Sequence, residues 1–161
     1  MLEQQMKDNS IHITPVAALI TALFGMLIIA GWIFDTAFFT IGLKGYYNFK
    51  FNTGVCFLLS SISLFILDRS KTNRLLDILA YIFITIVLLI TALTSIQYII
   101  KIDTGIDTFL LSIFFEGELD SSLRMYFSTC ILFILFNLSL LGMKIEKFKS
   151  IIQNIILVII V

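Results

Sequence analysis

Phe49-Lys-Phe-Asn-Thr-Gly-Val-Cys-Phe-Leu-Leu-Ser-Ser-Ile-Ser-Leu64 is matched, seventy-six residues later, by Met125-Tyr-Phe-Ser-Thr-Cys-Ile-Leu-Phe-Ile-Leu-Phe-Asn-Leu-Ser-Leu140. Phe51/Phe127, Thr53/Thr129, Phe57/Phe133, Leu59/Leu135, Ser63/Ser139 and Leu64/Leu140 are identical, and Asn52/Ser128 are both small and polar. In each copy a polar pair opens a long apolar helix, and a second apolar helix precedes the connection leading into it. The unit is a helical hairpin, used twice.

Composition sets the class. The chain is 59% hydrophobic, above the roughly 45–50% of soluble domains, and its mean hydropathy is +1.04. One proline, eight glycines and sixteen phenylalanines describe long helices, not a turn-rich sheet protein. A span needs roughly 20 mostly apolar residues to cross about 30 Å of hydrocarbon. Pro15–Phe34, Thr53–Leu67 (reaching back to Phe49), Ile78–Ile100 and Met125–Met143 qualify. A fifth apolar stretch, Phe148–Val161, covers only about 21 Å at 1.5 Å per residue. The expected fold is all-α: a polytopic transmembrane bundle of repeated hairpins, four full spans plus a truncated fifth. Because that stretch closes on Leu-Val-Ile-Ile-Val without a polar anchor, the chain is expected to be a fragment of a longer receptor.

The formal net charge is zero, so nothing points to nucleic acid. The charges are sorted by connection, however. Lys7, Arg69, Lys71, Arg74, Lys144, Lys147 and Lys149 fall on one side of the expected spans, against Lys44, Lys50, Lys101 and Arg124 on the other. The positive-inside rule then puts the N-terminus in the cytoplasm. Residues 1–13 form a cytoplasmic tail, 14–67 the first hairpin, 68–77 a cytoplasmic loop, 78–143 the second hairpin, and 144–161 a loop and the start of the fifth helix. No secretory signal peptide precedes the first span.

Thr14-Pro15 is a good helix start, since threonine caps and proline at the first helical position loses no needed bond. Ala18/Ala22 and Thr21/Gly25 set small residues four apart, which lets a neighbouring backbone come close in lipid. The first span ends at Gly31-Trp32, with tryptophan at the interface. Both outer connections are apolar. Thr36–Asn48 suits a short interfacial segment. Ile106, Phe109, Leu110, Ile113 and Phe114 fall on one helical face, after a capping-box-like Thr104-Gly-Ile-Asp107. Short interfacial helices on the outer face are expected from both.

Two spans per unit keep both copies in one orientation, so they relate by an axis along the membrane normal and equivalent positions face one another. Ser61 and Ser63 then oppose Asn137 and Ser139 near mid-helix, where hydrogen bonds between helices contribute roughly 0.6–2 kcal/mol each. Cys56 and Cys130 match no metal or redox spacing and read as small packing residues rather than a disulfide. His12, the sole histidine, precedes the first span and reads as a headgroup-level residue, not a ligand. No cofactor is expected.

With these residues in place the chain resembles the multi-pass membrane region at the N-terminus of bacterial PAS-containing sensor histidine kinases and diguanylate cyclases. In that family Gly-Trp-x-x-Asp ends the first helix and Met-Lys-Pro-Asn-Thr-Ala-x-x-Phe opens the second; here Gly31-Trp32-Ile33-Phe34-Asp35 and Phe49-Lys50-Phe51-Asn52-Thr53-Gly54-Val55-Cys56-Phe57 hold those places. The family's second unit has Gly-Ile-Asp-x-Leu-Leu, then Gly-Arg-Met-Ser-Pro-Asn-Thr-Ala. Gly105-Ile106-Asp107-Thr108-Phe109-Leu110 and Leu123-Arg124-Met125-Tyr126-Phe127-Ser128-Thr129-Cys130 resemble it. Both motif prolines are replaced, by Phe51 and Phe127, the second asparagine by Ser128 and the first methionine by Phe49. The resemblance implies a bacterial inner-membrane signal-input module that dimerises through an output domain. These residues hold no phosphoacceptor histidine, ATP-binding glycine motif or cyclase signature, so the stretch itself is not expected to be an enzyme.

Trp32, Asp35, Asn52, Thr53, Asp107, Arg124, Ser128 and Thr129 are the candidate ligand-binding residues, gathered at the outer face around a small apolar or amphipathic ligand. Polar groups at membrane depth are costly and often functional. The plainer alternative is that Asn52, Thr53, Ser128 and Thr129 cap their helices while Arg124 pairs with a nearby acid. A small transporter or a structural membrane subunit is the competing function, with Asn137 the best candidate for a midplane site.

Overall fold

A computed structural model describes residues 2–34, 50–69, 73–102, 105, 112 and 124–143; within 2–12 it describes the helix alone. Among these residues four helices are formed: α1 (Leu2–Ile33), α2 (Phe51–Arg69), α3 (Arg74–Ile100) and α4 (Phe127–Gly142). Among the described residues there is no strand. The expected interfacial helices over 36–48 and 106–115 (Ser112 apart) and the fifth helix in 144–161 lie outside the described residues.

Helix α1 does not begin at Thr14-Pro15. It runs unbroken from Leu2, with Pro15 inside it. Proline removes one backbone bond, and membrane helices accommodate that locally. The stretch apolar enough to cross a membrane still starts at the expected place, Ile13–Ile33. Among the described residues three helices are long and apolar enough to span: α1 through that stretch, α2 and α3. The fourth expected span, Met125–Met143, is shorter, because Tyr126 is extended (φ −63°, ψ 141°) and the helix starts only at Phe127. Its sixteen residues cover about 24 Å.

Polarity runs inside out. Leu19, Leu23, Leu27, Leu89, Ile99, Leu132 and Leu135 face outward, while Asn52, Ser60, Ser63, Thr91, Thr94, Gln97 and Asn137 are buried. Lipid solvates the first group, and the second finds partners only within the bundle. The chain is a membrane protein by this pattern.

Helix α2 is central and packs on α1, α3 and α4; α3 also packs on α4. The α1–α2 crossing is tight because Gly25 and Gly54 meet there. A β-carbon on Gly25 would lie 2.9 Å from the Gly54 carbonyl oxygen and from the Leu58 nitrogen. Ala18 is buried too, so the small residues serve packing. On the other side Ser63 Oγ approaches the Ala80 carbonyl at 3.3 Å. Cys56, Val87, Ile90, Met125, Cys130 and Phe133 form one buried cluster; Leu67, Ala80, Ile84 and Leu140 form another. Both cysteines are free.

Asn73 caps α3 by accepting from the Leu75 amide at 3.2 Å. The helix closes on Lys101 in the left-handed conformation (φ 58°), its amide donating to the Gln97 carbonyl at 2.9 Å. Helices α2 and α4 are the two repeat copies, and their equivalent residues touch: Phe57 meets Phe133, and Lys50 meets Tyr126.

Candidate functional site

The first turn of α2 carries the polar pair of the first copy. The amides of Thr53 and Gly54 donate to the Lys50 carbonyl at 3.0 and 3.3 Å. Lys50 therefore occupies the capping position, and Asn52 and Thr53 stand inside the helix, both buried. In the second copy Tyr126 is the cap and makes no side-chain capping bond. Helix capping thus does not explain these polar residues: the capping residue comes two or three places too early for Asn52, Thr53, Ser128 or Thr129 to serve.

The eight candidates separate. Asn52 and Thr53 are buried together. Arg124 is half-buried, its guanidinium 5.5 Å from the Tyr98 ring centre. Thr129 faces a crevice of about 290 Å³ with Thr21, Phe57, Ser60, Phe133 and Phe136. Ser128 is exposed. Trp32 is half-buried in the last turn of α1. Asp35 and Asp107 lie outside the described residues.

What joins Asn52 and Thr53 is a set the sequence reading passed over. Helix α3 contributes Thr91, Thr94, Ser95 and Gln97, all buried. With Ser63 opposite Ala80 and Cys56 beside Val87, the antiparallel register brings Asn52 level with Thr91. Thr91 donates to the Val87 carbonyl at 2.8 Å and Ser95 to the Thr91 carbonyl at 2.7 Å. Both hydroxyls keep acceptor capacity. The signal was present in the spacing: Ala80, Ile84, Val87, Thr91, Thr94 and Tyr98 alternate by four and three on one helical face, and the last three are polar.

Two cations roof this layer. The Lys50 ammonium lies 5.7 Å from the Tyr126 ring centre, and burial pushes its pKa below the usual lysine value. Arg124 stacks on Tyr98, whose hydroxyl donates to the Met125 carbonyl at 3.0 Å. The layer therefore takes side chains from both hairpins and is ringed by aromatics.

Deeper in the bundle, Asn137 reaches Ser60 rather than the expected Ser61 or Ser63. Its Nδ2 donates to Ser60 Oγ and to the Phe133 carbonyl, each at 2.9 Å. The Ser60 hydroxyl in turn donates to Asn137 Oδ1 at 3.3 Å. Ser61 and Ser139 turn back to carbonyls of their own helices. No group of three histidine, cysteine or acidic side chains able to hold a metal occurs among the described residues.

No family model matches the chain, and neither the curated proteins nor the solved structures contain a match to it.

Proposed function

We propose that the chain is the membrane-embedded signal-input module of a bacterial signal-transduction protein, such as a two-component sensor histidine kinase, in the cytoplasmic membrane with its N-terminus inside. The observation that carries the reading is the set of buried polar side chains, Lys50, Asn52 and Thr53 from the first hairpin and Thr91, Thr94, Ser95 and Gln97 from the second, with Arg124 half-buried. A small amphipathic ligand or a membrane state that favours one arrangement of this layer shifts the hairpins relative to one another. Such coupling requires only different affinities for two bundle states. Four full spans, a fifth leading out of the unit, and interfacial helices over the outer face belong to the same proposal. So does a homodimer formed through an output domain.

The transporter reading rests on Asn137 as a midplane ligand-binding group. Its amide is engaged by Ser60 and Phe133, which supports a packing role instead.

Intact mass of the native protein drawn from its source membranes tests the reading. A mass well above 18.3 kDa, carrying a kinase or cyclase domain, is expected. A mass of 18.3 kDa with no signalling protein co-purifying overturns it. In a reporter strain, Asp35→Asn and Arg124→Ala should each alter output. Unchanged output in both would sink the outer-face polar site.

A further inference from the structure

At the opposite end from the polar layer, beyond their Gly25–Gly54 crossing, α1 and α2 line a groove of about 530 Å³. That is within the range of about 300–1,000 Å³ usual for small-molecule sites. Its floor is made of small, closely packed residues: Ala18 and Ser61 are each 2% exposed, and Ala22 lies beside them. The rims, Val16, Leu19 and Phe65, are exposed. Ser61 spends its proton on the Leu58 carbonyl at 2.8 Å, so it directs no donor into the groove. An alkyl chain suits such a lining; a polar ligand does not.

The mouth differs from the floor. Arg69, the last residue of α2, lines the groove with its guanidinium held 5.1 Å from the Phe65 ring centre. As a helix-terminal residue it stands at headgroup level, and Lys71 and Arg74 follow it within five residues. Asp68 is the adjacent acid. A cation fixed at the mouth of an apolar groove between membrane helices is complementary to an anionic headgroup above an acyl chain. Guanidinium also pairs with phosphate through two parallel hydrogen bonds.

We propose that this groove holds one acyl chain of an anionic phospholipid from the adjoining leaflet, with the lipid phosphate taken by Arg69. The site lies on α1 and α2 alone and is independent of the signalling reading.

Native mass spectrometry of the full chain in micelles tests it, with phosphatidylglycerol and phosphatidylcholine of identical chains titrated in parallel. One phosphatidylglycerol should be retained about fivefold more strongly than phosphatidylcholine, the contribution of one cation near a membrane surface. Arg69→Gln should abolish that preference and Arg69→Lys should reduce it. Val16→Trp, filling the groove from its exposed rim, should lower retention of both lipids. Circular dichroism identifies a variant that has lost its helices. Equal retention of the two lipids overturns the proposal, as does a preference that survives Arg69→Gln. Unchanged retention in Val16→Trp overturns it too, and so does a spectrum with no lipid, in which another segment or a second copy covers the groove.

Discussion

Phe57 and Phe133, seventy-six residues apart and equivalent in the internal repeat, pack edge to face with ring centres 4.9 Å apart and planes at 70°. Lys50 and Tyr126 are equivalent in the same way and also meet, two helical turns nearer the end of the bundle. Two such pairs define a line along which the copies face one another. The repeat is therefore a packing relationship, and α2 and α4 form its seam.

Substitution at the seam should reveal coupling. Phe57 also meets the Phe24 ring at 5.4 Å, so Phe57→Ala should destabilise the bundle more than Phe133→Ala. The double variant should fall short of additivity by about 0.5–1.5 kcal/mol, the usual worth of an aromatic pair. Unfolding in mixed micelles measures all three, and strict additivity would deny the contact.

Ser60 and Asn137 offer a second cycle. Loss of Asn137 leaves Ser60 without its partner in α4, while Phe133 regains an ordinary helix carbonyl. Asn137→Ala should cost about 0.6–2 kcal/mol in the same assay, and Ser60→Ala should cost little more once Asn137 is gone. A ligand-binding role for Asn137 would instead show as altered binding with stability unchanged.

Helix class, three of the expected membrane-crossing segments and the repeat were legible because each is written as period or composition over many residues. Side-chain register was not. The repeat correctly aligned Ser61 with Asn137, yet Ser60 is the partner, because bonding depends on helix rotation, and one residue turns a side chain by about 100°. The polar layer was half seen: Asn52 and Thr53 stood out beside phenylalanines, whereas Thr91, Thr94 and Ser95 merged into a long apolar run. Capping was misjudged for a local reason. Lys50 and Tyr126, neither a favoured capping type, hold the boundary positions, and their side chains meet across the seam.

The α1–α2 crossing predicts unequal responses at its two glycines. A β-carbon on Gly25 meets backbone atoms of α2, at 2.9 Å, so the helices themselves must separate. One on Gly54 meets the Ile28 side chain, also at 2.9 Å. Gly25→Ala should therefore cost more than Gly54→Ala, with overpacking of about 1–3 kcal/mol as the scale. Ile28→Ala should restore part of the loss in Gly54→Ala and none in Gly25→Ala. Equal rescue of both would mean that the helices do not cross here.

Cys56 and Cys130 are both fully buried and free. In folded protein a membrane-permeant maleimide should label neither, while denatured protein should take up two equivalents. Rapid labelling of either thiol in the folded state would show that the cluster around Val87 and Met125 opens. Absent labelling after denaturation would reveal a disulfide.

Lys50 makes stability depend on alkaline pH. Burial disfavours its charged form and lowers its pKa in the fold, whereas in the unfolded chain lysine titrates near 10.4. Between those two values the unfolded state binds more protons than the folded one, so stability rises with pH across that window. Below the lowered pKa the cost of burying the charge is present in full; above about 10.4 it has vanished. The quantity to read is the difference between wild type and Lys50→Met. Unfolding in micelles from neutral pH to pH 11 should show the two curves converging from a wild-type deficit as pH rises. Parallel curves would mean that the Lys50 ammonium is as well solvated in the folded bundle as in the unfolded chain, and that it lies outside the polar layer.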